Sequence, residues 1–186
     1  MNKKRIIIGI AGKIASGKTT LAKMLVEKDG FTLIKIAEPI YFFCKKLGFP
    51  ETRENLINIC KIGKEYDPCF WLYILHGRMK KIKNNKIVID DVRFIEDVKY
   101  IKSRGGIIIY LKVSPEIAYQ RCLKRGEAKD KLSYEEFLKI LQDPTEKSVE
   151  KIEKKGLFDL LIDTDDKTPE EIYKIVKKFI ETKFYD

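Results

Sequence analysis

Residues 5–25 read "RIIIGIAGKIASGKTTLAKML". The first eight, "RIIIGIAG", are apolar and β-branched on successive positions, as in a strand covered on both faces. Residues 12–19, "GKIASGKT", match G-x-x-x-x-G-K-[ST], a phosphate-binding loop. Residues 17–28 follow at helical spacing, with Leu21, Met24, Leu25 and Lys28 recurring on one side. Glycines let such a loop curl until its N–H groups converge on phosphate oxygens, and the helix N-terminus adds positive potential. Lys18 supplies charge for the β- and γ-phosphates, and the Thr19 hydroxyl suits Mg²⁺. An ordinary glycine turn capped by Ser16 or Thr19 would account for the loop alone, but not for its strand and helix. The candidate phosphate-binding set is Gly12, Ala15, Ser16, Gly17, Lys18, Thr19 and Thr20.

Outward from this unit, four more apolar runs read as strands: "FTLIKIA" (31–37), "KIVID" (86–90), "GIIIYLKV" (106–113) and "FDLLID" (158–163). Helical patterns separate them over 38–47, 54–62, 69–82, 96–104, 114–125, 133–143 and 168–184. Punctuation supports several of these: Gly105-Gly106 as a C-terminal stop, Ser114-Pro115 and Thr168-Pro169 as starts, Ser133 with Glu136 as a capping box. Strands alternating with helices imply right-handed crossovers and an open parallel α/β sheet with helices on both sides. Such sheets take ligands beyond the carboxyl ends of their strands.

The third strand ends in "DDVRFIED" (90–97). Aspartates are poor strand residues, so two at a strand tip call for a reason. A phosphate-binding loop needs a carboxylate near its magnesium, from the end of a neighbouring strand. Asp91 is the candidate for the active site and the metal; the competing reading has it capping the helix that follows. Arg93 then enters the same crevice, where a two-pronged grip on phosphate is its natural use.

The chain has 186 residues, enough for one domain with a sizeable core. Hydrophobic residues make up 44% and charged residues 35%, a globular composition. No apolar run reaches membrane-spanning length, no cleavage pattern follows the N-terminal run, and cytoplasm is the expected location. Four scattered cysteines and a single histidine argue against structural zinc and for reduced thiols. A formal charge of +10, spread along the chain, suits nucleic acid or polyanionic small molecules.

Taken together, these segments resemble the P-loop kinases that act on small phosphorylated acceptors, nearest to the deoxynucleoside monophosphate kinases. "DVRFIED" (91–97) is similar to their D-V-R-F and acidic stretch, "GKEYDPCFW" (63–71) to G-R-E-x-D-P-x-F-W, and "IAEPI" (36–40) to F-A-D-P. "GLFDLLIDTDDKTPEEI" (156–172) looks like the last strand and helix of dephospho-CoA kinases. Ala15, Glu38 and Lys64 depart from the usual glycine, aspartate and arginine, mostly on the acceptor side.

The resemblance implies a single three-layer P-loop kinase domain over 1–186. Its core would comprise 1–36, 86–120 and 156–186, with an acceptor-binding helical part over 37–85 and a helical lid over 121–155. It implies ATP as donor, Mg²⁺ through Thr19 and Asp91, and a nucleoside monophosphate as acceptor. Lys18, Asp91, Arg93 and the lid arginines Arg121 and Arg125 would act in transfer. Glu38, Arg53, Trp71 and Arg93 would meet the acceptor, and the loop 163–167 would cradle the base. Dephospho-CoA kinase or another small-metabolite kinase of the same fold is the nearest alternative; a non-catalytic nucleotide-binding regulator or a nucleic-acid-associated NTPase is the alternative of another class. Trp71 also reads as core packing, His76 as a surface or packing histidine, and "RMKKIK" (78–83) as a solvated helix end rather than a nucleic-acid site.

Overall fold

The computed structural model describes residues 5–126 and 133–184. Five parallel strands form one sheet: β1 (Ile6–Gly12), β2 (Thr32–Lys35), β3 (Lys86–Val92), β4 (Ile107–Lys112) and β5 (Leu160–Asp163), in the order β2-β3-β1-β4-β5. The helices among the described residues are α1 (Lys18–Asp29), α2 (Glu38–Lys46), α3 (Arg53–Tyr66), α4 (Phe70–Lys81), α5 (Ile95–Ser103), α6 (Pro115–Arg125), α7 (Tyr134–Leu141), α8 (Pro144–Lys154) and α9 (Pro169–Phe184).

The period-2 geometry of a strand explains why β1 is apolar throughout. Ile6, Ile8 and Ile10 face one layer, with Leu21 and Leu25 of α1 and Ile172 and Val176 of α9. Ile7 and Ala11 face the other, with Leu75 and Met79 of α4, Val98 and Ile101 of α5, and Val149 and Ile152 of α8. Each fully buried isoleucine or leucine contributes roughly 1.5–3 kcal/mol, so the sheet is anchored from both sides. The switch in strand order falls between β1 and β4, and the loop from β1 into α1 opens there at the carboxyl edge.

One element was not legible as a helix. The pattern over 133–143 stops at Leu141, and Pro144 opens α8 at its first position. Asp143 before a proline is a start signal that the run of charged residues obscured. No helix of the described residues is long and apolar enough to cross a membrane. Cys44, Cys60, Cys69 and Cys122 are all free thiols.

Candidate active site

The loop between β1 and α1 is built as its motif requires. A Cβ on Gly12 would lie 2.4 Å from the Leu111 carbonyl oxygen and 2.5 Å from Ser16 Oγ, so only glycine fits. Ala15 holds a left-handed φ of 57°, where such loops often carry glycine. Lys18 Nζ folds over the loop and donates to the Gly12 and Lys13 carbonyls at 2.8 and 2.9 Å. Ser16 Oγ is buried without a hydrogen-bond partner among the described residues.

The two aspartates owe their positions to a break in strand register. Gly9 of β1 pairs with Ile89 and Ala11 pairs with Val92, so Asp90 and Asp91 together oppose Ile10. This bulge gives Asp91 a φ of 69° and returns Val92 to the same layer as Ile89. Asp90 takes the α1 side, where its Oδ2 accepts a 2.8 Å hydrogen bond from the Thr19 hydroxyl. Asp91, the extra residue, turns toward the cleft: Arg93 Nε donates to its Oδ2 at 2.8 Å, and Lys18 Nζ is 3.7 Å from Oδ1. The residue beside Thr19 is therefore Asp90 and not Asp91, a correction to the expected metal pair. Nor does Asp91 cap the next helix. Asp97 Oδ2 does so by accepting the Arg93 and Phe94 N–H groups at 3.1 and 2.9 Å.

A residue absent from the sequence reading completes the cluster. Glu146 of α8 is fully buried, accepts from Arg93 Nη1 through Oε1 at 2.8 Å, and accepts the Ile14 N–H of the phosphate-binding loop through Oε2 at 3.1 Å. Burial works against every charge here, but the partners overcome it at three groups. Arg93 and Lys18 hold Asp91 and Glu146 below the usual carboxylate range, and those two carboxylates push Arg93 further up. Burial wins at the other two: it lowers Lys18, and together with the Asp91 charge it raises Asp90.

These groups border a cleft of about 1010 Å³ that runs from the loop to α2 and α3. Ala15, Ser16, Gly17, Lys18, Thr19, Thr20, Glu38, Arg53, Asp90, Asp91, Arg93, Arg121 and Arg125 all line it. Within it, Glu38 pairs with Arg78, whose Nη1 also donates to the Lys35 carbonyl at 2.7 Å, so the basic run at 78–83 begins with a structural arginine. Arg53 reaches Asp143 at 3.3 Å, joining α3 to the start of α8. Arg121 donates to Thr164 Oγ1 at 3.0 Å and more weakly to the Ala15 carbonyl at 3.4 Å, tying the phosphate-binding loop to the loop after β5. Residues 127–132 of the expected lid lie outside the described residues.

Trp71 is the clearest correction. It is 7% exposed, does not border the large cleft, and donates through Nε1 to the Cys60 carbonyl at 2.9 Å. Its ring packs so closely on Gly63 that a Cβ there would sit 2.8 Å away. It joins α3 to α4 and has no face for a base to stack on. His76, by contrast, meets Tyr100 and Arg104 at the surface, as a packing histidine does.

A five-stranded parallel sheet, a phosphate-binding loop at its switch point and a carboxylate against the loop threonine define a P-loop domain of the kinase fold. Solved kinases share it. A shikimate kinase from Bacteroides thetaiotaomicron superposes with a TM-score of 0.59 at 15% identity, covering 95% of this chain and 98% of the other. A deoxyadenosine kinase from M. mycoides gives 0.59 at 18%, over 95% and 99%.

The family model AAA_18, an AAA domain, matches residues 8–151, and the chain belongs to that family. It is 32% identical to a UPF0200 protein of Sulfurisphaera tokodaii over 72% of this chain and 73% of that one. It is also 26% identical to a Thermococcus kodakarensis protein provisionally named an adenylate kinase, over 94% and 85%. A uridine kinase of Geobacillus kaustophilus is 25% identical over 76% and 79%.

Proposed function

We propose that this protein is an ATP- and Mg²⁺-dependent kinase whose acceptor is a nucleoside or deoxynucleoside monophosphate. The observation that carries the reading is one cleft of about 1010 Å³ lined both by the phosphate-binding loop, with Asp91 and Arg93 beside it, and by Glu38 of α2 and Arg53 of α3. Its volume lies at the upper end of small-molecule pockets, room for a donor and an acceptor together. The provisional adenylate kinase name of one relative is in keeping with this class.

The residues fit a magnesium ion. Thr19 and Asp90 meet at 2.8 Å, and Asp90 Oδ1 is buried with no hydrogen-bond partner among the described residues. These two side chains would hold the ion, whose charge would offset that of the donor phosphates. Lys18 would leave its loop carbonyls for the phosphates, and loop N–H groups would bind the oxygens. Asp91 would orient Lys18 and Arg93 toward each other. Arg93 Nη2, which has no partner among the described residues, would meet the acceptor phosphate. Catalysis of this kind is positioning plus charge stabilisation, so it needs no dedicated nucleophile.

A second reading, an acceptor that offers a hydroxyl and carries no phosphate, has one observation in its favour. Two carboxylates already offset the Arg93 charge. An ATP-consumption screen over nucleosides, ribo- and deoxynucleoside monophosphates and dephospho-CoA separates the two. Turnover with a monophosphate but not its nucleoside supports the first reading, the reverse supports the second, and no turnover with any acceptor refutes both.

A further inference from the structure

Eleven residues of α8 read "PTEKSVEKIEK" (144–154), and two of them, Val149 and Ile152, enter the core layer under α5. Glu146 lies three residues before Val149, on the same face of the helix. It is thus a carboxylate on an apolar stripe, and it is 0% exposed. Stability does not account for a charge there. A buried ion pair is often no more stabilising than apolar residues of the same size, because taking both charges out of water is costly. The carboxylate therefore calls for another use.

Its two partners supply one. Oε2 takes the Ile14 N–H and Oε1 takes Arg93 Nη1, so one carboxylate joins the phosphate-binding loop to the arginine at the tip of β3. Next to each partner lies strained backbone. Ala15 follows Ile14 with φ 57°, and Asp91, held by Arg93 Nε, has φ 69°. These are the only non-glycine residues with positive φ among the described residues. Such conformations persist only where their surroundings hold them. Glu146 holds the backbone neighbour of Ala15 and, through Arg93, the side chain of Asp91.

We infer that Glu146 is a positioning residue: delivered by α8, it fixes the phosphate-binding loop and Arg93 in the one arrangement that binds a nucleoside triphosphate. What that arrangement is used for rests on the kinase reading above; its effect on nucleotide binding does not. Glutamine at 146 keeps the shape but offers one acceptor oxygen to two donors, and turns its amide group toward the other.

The test is direct titration of Mg·ATP by calorimetry, without acceptor, into the full chain carrying Glu146→Gln, at a temperature where circular dichroism reports it folded. The expected result is ATP affinity weaker by about tenfold or more, the loss of one charge-assisted hydrogen bond. Adding Ala15→Gly to that variant relieves the left-handed strain and should recover the affinity several-fold. A role confined to stability would move neither reading. Should Glu146→Gln not fold, Glu146→Leu continues the apolar stripe and is judged by the same thresholds. Affinity within about twofold of the unaltered chain, tighter binding, or failure of both variants to fold overturns the inference. An unaltered chain that binds ATP but phosphorylates no acceptor, with Glu146→Gln still weakened, retires the kinase reading and supports this one.

Discussion

Arg93→Ala removes the cation that two carboxylates share, and the structure sets the size of the damage. Glu146 would be left fully buried with only the Ile14 N–H, and Asp91 would keep Lys18 at 3.7 Å. Stranding one member of a buried ion pair costs about 3–5 kcal/mol. The Arg93 and Asp91 side chains are 24% and 21% exposed, so water screens part of the loss and the lower end applies, about 3 kcal/mol. For a chain of this length each kcal/mol moves Tm by roughly 2–4 °C, so the variant should melt about 6–12 °C lower at pH 7. The acid side provides an internal check. In the intact protein Glu146 titrates below its ordinary value, so its contribution is present at neutral pH and lost as pH falls through the folded value. Without Arg93, burial is opposed only by the Lys18 charge and the Ile14 N–H, so Glu146 titrates higher than in the parent and its protonation costs the fold less. The Tm gap between variant and parent should therefore narrow from pH 7 to pH 5. Differential scanning calorimetry at both values measures it. A gap under 2 °C at pH 7, or one that widens in acid, would refute the bracing role of Arg93.

Three further outcomes are expected. Trp71→Ala should lower Tm by about 6 °C or more, since emptying a buried tryptophan site costs roughly 3–5 kcal/mol, while KM for both substrates stays near the parent value at a temperature where the variant is folded; a selective rise in acceptor KM would return Trp71 to the site. Asp90→Asn should weaken the apparent Mg²⁺ affinity in an ATP-turnover titration by tenfold or more, whereas equal Mg²⁺ affinity in variant and parent would reject the Thr19–Asp90 assignment. Asp97, pushed by burial up to about 6 from 3.8, favours the fold when protonated: that contribution is present below about pH 4 and is lost as pH rises through 6. Asp97→Asn keeps a cap acceptor without the charge, so its Tm should fall less than the parent's between pH 5 and pH 8, and parallel curves would count against this.

The sheet and the phosphate-binding loop were legible because their signals are local. β1 is apolar on both faces, and the glycine loop must follow it, so strand, loop and helix can be read from one contiguous stretch. Asp90 and Asp91 were legible as a pair but not as individuals. Regular alternation would send adjacent residues to opposite faces, yet the bulge opposite Ile10 makes Asp91 an insertion and carries the parity on to Val92. No spacing in "KIVIDDVRF" declares that shift, because it is set by register against β1. Trp71 misled for a related reason. Its place in a family-like segment said nothing of the Gly63 contact that turns the ring inward.

Glu146 shows how a site residue can be invisible to sequence reading. In "PTEKSVEKIEK" it is one of three glutamates set among three lysines on a short charged helix, and composition alone assigns it to solvent. What distinguishes it is its phase: it shares a face with Val149 and Ile152, whereas Glu150 and Lys154 pair with each other toward solvent. A phase argument could have singled it out, but only with 144–154 recognised as a helix, because residues three apart share a face only at helical spacing. The partner could not have been found that way. Ile14 is 132 residues earlier and Arg93 is 53 earlier, and each reaches Glu146 only because α8 packs beneath α5 and beside β1. The phosphate-binding loop is therefore written in one stretch of chain, while the carboxylate that accepts its Ile14 N–H is specified by the packing of the whole domain.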